Sequence, residues 1–212
     1  MKLTRPALCL ALVASVTAAG AAGAATKPKP KPVCNLLVDP AGDAKDTFLQ
    51  EGVMPSSEDA VDIVSADVAA DAKTLETVIR VKKLATSSST APGGLHWKFF
   101  FNVGEDKIYT QAIAATGGSP TFVFGTIDAT AGTSKKLGDA TGVLDTAKSE
   151  VRIWLPLSAL PNPPKPGAKI NTLEPNAGRY YSAGVSLSDP TDSATSSKSY
   201  TVGALSCVKV GA

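Results

Sequence analysis

Between Asp39 and Asp67 the chain carries Asp39, Asp43, Asp46, Glu51, Glu58, Asp59, Asp62 and Asp67, with no helical periodicity among them. Carboxylates are hard oxygen donors, and calcium takes roughly six to eight oxygens from side chains, backbone carbonyls and water. The spacing Asp39-x-x-x-Asp43-x-x-Asp46, with Gly42 permitting a tight turn, can aim several carboxylates at one centre. Asp59 and Asp62 complete the shell if the stretch folds back on itself. The spacing is not that of an EF-hand loop, which closes with a glutamate at its twelfth position. A second reading stands beside the metal. Asp39 and Asp43 can accept hydrogen bonds from their own turns, and Asp62 can open a strand. The metal candidates are therefore Asp39, Asp43, Asp46, Asp59 and Asp62, and calcium is the cation they suit.

Other chemistry is sparse. The single histidine, His96, has no Gly-x-Ser-x-Gly or comparable nucleophile near it. No His/Cys cluster has zinc spacing, and no glycine-rich loop follows a strand to cradle phosphate. A pair of carboxylates for glycoside hydrolysis would meet in space rather than in sequence, but the acids here sit in turns where solvation suffices. These features favour a binding protein over an enzyme. For ligand contact the sequence offers Trp154 and Arg152, side by side on the outward positions of one strand, and then Tyr109 and Tyr180.

The elements that must position these residues are strands. Lys2 and Arg5 followed by the apolar run 7–18 and small residues to Ala25 read as a secretory signal over 1–25. The apolar run is too short for a membrane span. Residues 26–33 hold a Lys-Pro repeat, an extended spacer, and a β-domain is expected over 34–208. Without the leader and the repeat, 16 basic residues face 19 acidic ones, a net charge of about −3. No basic stripe remains for a phosphate backbone, which argues against nucleic acid. The two remaining cysteines, Cys34 and Cys207, sit near the two ends of the body, and in an oxidising compartment they are expected to pair.

Period-two alternation recurs after the leader. Leu75, Thr77, Ile79 and Val81 form one face of a strand, with a hairpin turn at Asp71–Lys73 joining it to Asp62–Ala70. Leu95, Trp97, Phe99, Phe101 and Val103 form the most apolar face, the expected centre of the core. Further strands or hairpins are expected at Lys107–Ala114, Thr121–Asp128, Ser134–Leu137, Gly142–Asp145, Glu150–Leu157, Tyr180–Leu187 and Tyr200–Val208. Ser158–Leu160 suits a single helical turn. About ten short strands with frequent turn signals predict an all-β, antiparallel, jelly-roll-like sandwich.

The order Asp39-Pro40-Ala41-Gly42-Asp43, then Asp62-Ile63 and a hairpin at Ala70–Thr74, resembles bacterial sandwich domains related to family-nine carbohydrate-binding modules and DOMON domains. Val151–Leu160 followed by a Pro-Gly loop is similar to them as well, and the chain looks closest to a group of small secreted actinobacterial β-sandwich proteins. The resemblance implies a jelly-roll-like fold, ligand binding on a sheet face or at loop ends, and a structural calcium. It does not imply a sugar here, because Trp97 falls on the core face and Trp154 has no aromatic partner for a clamp. Some DOMON domains bind haem through methionine and histidine. Here only Met54 and His96 are available, and neither has a motif that would fix it beside iron.

The expectation is a secreted, non-catalytic binding or accessory module with a structural calcium. Alternatives are a carbohydrate-binding protein using Trp154, and a structural cell-wall-associated protein with the Lys-Pro repeat as spacer. Polysaccharide or cell-wall material is the partner in those two cases.

Overall fold

The computed structural model describes residues 31–44, 59–87, 93–128, 130–180 and 191–211, and the span Lys31–Ala212 forms one compact unit. Twelve strands are assigned among the described residues: β1 (Leu37–Val38), β2 (Ile63–Ala70), β3 (Thr74–Val81), β4 (Gly94–Val103), β5 (Asp106–Ala115), β6 (Thr121–Asp128), β7 (Thr133–Asp139), β8 (Thr141–Asp145), β9 (Glu150–Pro156), β10 (Lys169–Tyr180), β11 (Asp192–Ser193) and β12 (Tyr200–Thr201). A 3₁₀ turn covers Leu157–Ala159, where the sequence suited a helical turn. One sheet has five strands in the order β1-β2-β3-β9-β8, and the other runs β11-β10-β4-β5-β6-β7 with β12 also on β10. Every named strand pair is antiparallel. The fold is an antiparallel β-sandwich, as the alternation predicted.

The alternation determines which face goes inward. Trp97, Phe99 and Phe101 of β4 are fully buried, and Leu75, Ile79, Ile153 and Leu155 meet them from the first sheet in one apolar cluster. Apolar area removed from water is the main favourable term in folding. The few polar atoms in this layer are paired across it. Thr77 Oγ1 of β3 lies 2.8 Å from Thr110 Oγ1 of β5, and Trp97 Nε1 donates to Ala60 O at 2.9 Å.

The two outer faces differ. On the second sheet, β5 alternates buried and half-buried positions from Thr110 to Ala115, as a sheet with one wet face should. On the first sheet, β2 and β3 are buried on both faces. The cover is the two terminal segments. Val33 N donates to Leu205 O at 2.9 Å and Cys207 N to Val33 O at 3.0 Å, so the ends run side by side. The disulfide Cys34–Cys207 joins them, with Cα atoms 5.2 Å apart at a sequence separation of 173.

Strand β10 departs from expectation. The sequence placed a strand at Tyr180–Leu187, most of which lies outside the described residues; the strand that pairs with β4 is Lys169–Tyr180. Pro175 interrupts its pattern, yet Pro175 O accepts from Ala194 N, so its missing donor faces the two-residue edge strand β11 rather than β4. A register shift between Asn171 and Glu174, with Thr172 at φ 52°, absorbs the irregular stretch. The last strand is likewise shorter than the expected Tyr200–Val208. It stops at Thr201, and a turn through Gly203 (φ 83°) redirects the chain over the first sheet.

Candidate metal centre and ligand-facing residues

Strand β1 delivers Asp39 to the edge of the first sheet, where its N–H still bonds Val64 O at 3.1 Å. The chain then turns through Pro40 and Ala41 to Gly42, whose φ of 93° is a left-handed value that glycine adopts without strain. Gly42 N donates to both carboxylate oxygens of Asp62, at 3.0 and 2.8 Å. Asp62 is fully buried just before β2 and thereby pins the turn to the sheet. From the other sheet, Asp192 of β11 reaches across and accepts the Ile63 N–H through Oδ2 at 2.6 Å.

The result is a cluster at the edge where the two sheets meet. One carboxylate oxygen each from Asp39, Asp43 and Asp192 lie within 4.8 Å of one another. Asp39 Oδ2 is shielded from solvent and accepts no hydrogen bond. Burial, followed by the charges of Asp192, Asp43 and Asp62, pushes the Asp39 carboxyl up to about 6. Burial also raises Asp192, with Asp43 and Asp62 adding to the shift against the Ile63 N–H. Converging carboxylates, an oxygen without a donor and mutual repulsion are what a hard cation relieves, so the residues fit calcium chemistry.

Of the five metal candidates, Asp39 and Asp43 enter this cluster. Asp62 is beside it, but both its oxygens take the Gly42 N–H. Asp59 turns away to Lys82, 2.8 Å from Nζ. Asp46 lies outside the described residues. Asp192, 130 residues further along than Asp62 and in a Ser/Thr/Asp-rich loop, gave no spacing signal; only the meeting of the sheets supplies it.

The ligand-facing candidates are separated by the fold. Trp154 lies half-buried on the outer face of β9, across from Glu76 and Thr141. Arg152 shares that face but is buried under the terminal segments, with Nε and Nη2 both 2.6 Å from Glu76 Oε1. Tyr109 lies on the other sheet, only 5% exposed. An added Cβ at Gly125 would sit 2.6 Å from the Tyr109 ring, so the ring is packed against that glycine. Phe100 flanks it at 6.4 Å between ring centres. Tyr180 ends β10, and its side chain is outside the described set. His96, raised in connection with haem, is buried on β4 near Gly178, and desolvation lowers it to about 4 with Lys98 contributing. Met54 is outside the described residues.

Compared with protein-family models and with curated proteins, the chain finds no match in either.

Proposed function

We propose that this protein is a secreted, non-catalytic binding module whose sheet edge is closed by a calcium ion held at Asp39, Asp43 and Asp192. The observation that carries the reading is the Asp39 carboxylate, raised to about 6 and with Oδ2 buried without a donor, facing two further carboxylates. A bound cation would supply the positive charge that offsets their repulsion, and would tie β1 and its turn to β11 of the opposite sheet. Secretion is supported by the leader-like N-terminus together with the Cys34–Cys207 bond. No helix among the described residues is long and apolar enough to cross a membrane. A binding rather than catalytic role is supported by His96, which is buried and held neutral, a poor general base near neutral pH.

The test is a melt of protein stripped with a chelator. Because a ligand of the native state stabilises by mass action, calcium at a hundred times its Kd is expected to raise stability by about 2.7 kcal/mol. Asp192→Asn should abolish that rise. An identical melt with and without calcium overturns the reading.

A carbohydrate-binding role is favoured by one observation, the half-buried Trp154 on the outer face of β9. A glycan array decides it: binding lost in Trp154→Ala supports sugar recognition, and flat signal across all glycans removes it. In the separate reading as a structural cell-wall-associated protein, the Lys-Pro repeat would act as the spacer.

A further inference from the structure

The outer face of the first sheet holds a second feature, separate from the carboxylates at the edge. Asp67, Val78 and Arg152 lie in register across β2, β3 and β9, with Arg80 and Glu150 in the next row. Two acids, Asp67 and Glu76, are buried on this face and fully engaged. Asp67 takes Leu36 N at 2.9 Å and Arg80 Nη1 at 2.6 Å. Glu76 takes Arg152 through Oε1 and Gly211 N through Oε2.

Between the C-terminal segment and the turn joining β8 to β9 is a cleft of about 320 Å³. That is the size of a small-molecule site at the low end of its range. Its ionisable lining is Arg80, Arg152, Lys148 and Lys209 against Glu150 alone, and Val78 and Val208 give it an apolar wall. Each guanidinium is fixed by its own ion pair and keeps donors in reserve. Arg80 spends Nε on Glu150 and Nη1 on Asp67, which leaves Nη2. Arg152 spends Nε and Nη2 on Glu76 and Lys209 O, which leaves Nη1. Neither free Nη has an acceptor among the described residues. Planar donors already held in place suit a carboxylate or phosphate, because little side-chain freedom is lost on binding.

We propose that this cleft binds a small organic anion, its acidic group on Arg80 and Arg152 with Lys148 and Lys209 at the rim, and its hydrocarbon part against Val78 and Val208. Among the described residues the exposed Lys148 side chain is held only by a pair with Asp145 at 3.2 Å, an interaction worth little and easily exchanged for a ligand. The site does not depend on the cation at the edge.

The oxidised protein is titrated by calorimetry with hexanoate, with phenyl phosphate, and with neutral hexanamide. Saturable binding of at least one acid, with hexanamide about tenfold weaker or worse, is expected. Binding of hexanoate alone assigns the ligand as a carboxylate, and of phenyl phosphate alone as a phosphate. The exposed pair Lys148→Gln with Lys209→Gln should weaken binding by about tenfold at an unchanged melting temperature. Asp192→Asn should leave the affinity as it is, so that this site and the cation site fail or succeed separately. No saturation by either acid, equal binding of the amide, or full affinity in the double variant overturns the proposal.

Discussion

Arg152 of β9 and Glu76 of β3 meet 2.6 Å apart on the outer face of the first sheet, and both are buried there by the C-terminal segment. On an ordinary antiparallel sandwich this face would be wet, and such a pair would contribute little. Here Glu76 is fully buried and its second oxygen holds Gly211 N at 2.9 Å. The ion pair therefore fastens the end of the chain to the sheet as well as joining two strands.

Removing one member leaves a buried charge without a partner. Glu76→Gln is expected to lower stability by about 3 kcal/mol, because the desolvated guanidinium loses its compensation. Replacing both, as Glu76→Leu with Arg152→Met, should recover most of that loss. Urea unfolding of the three variants measures it, and a double variant as unstable as the single one would count against the pair as the cause.

The disulfide acts on the same cover. Because Cys34 and Cys207 are 173 positions apart, the bond restricts the unfolded chain over most of its length. The chain-entropy relation gives up to about 5 kcal/mol for such a loop. Cys34→Ser with Cys207→Ser should lower the urea midpoint accordingly. In the native state, hydrogen exchange should quicken at Leu36 and Gly211, whose N–H groups bond the covered acids.

Asp39 gives the cation-free protein a pH signature. Its folded value of about 6 lies above the usual carboxylate value, so the folded state holds the proton more tightly than the unfolded state. Stability from this group is present at low pH and is lost as pH rises from about 4 to about 6. In chelator at pH 7.5, Asp39→Asn should therefore stabilise, by about 1 kcal/mol after allowing for the solvent this carboxylate still sees. At pH 4 the gain should vanish. With calcium present the sign should reverse, since the substitution removes a ligand.

His96 has the opposite slope. Its folded value of about 4 lies below the ordinary 6.5, so the unfolded state takes the proton first as pH falls. Stability is full above about 6.5 and is lost progressively down to about 4, a change of about 2–3 kcal/mol. His96→Gln should flatten that part of the pH–stability curve. Proton NMR of the His96 ring should show a titration midpoint below 5.

Much of the framework is legible in the amino-acid order because a strand's side chains alternate without reference to distant residues. Leu95, Trp97, Phe99, Phe101 and Val103 form a core face for that local reason, and Asp71 accepts from Lys73 N and Thr74 N in the turn the sequence placed between β2 and β3. The pairing of Cys34 with Cys207 follows from there being no other cysteine in the body of the chain. The turn through Gly42 that brings Asp39 and Asp43 together is likewise local.

What the tertiary structure alone decided depends on which distant segments meet. Asp192 joins Asp39 and Asp43 only because β11 lies at the sheet edge beside β1, and no spacing along the chain encodes that meeting. Asp59, equally acidic and nearer in sequence, is drawn off by Lys82. Strand β10 was obscured by Pro175, tolerated because its nitrogen faces a short edge strand. Arg152 reads as an outward residue, since alternation assigns a face but not whether another segment will cover that face. Alternation and turn chemistry are properties of neighbours, whereas burial, charge pairing and ligand geometry are set by contacts across the fold.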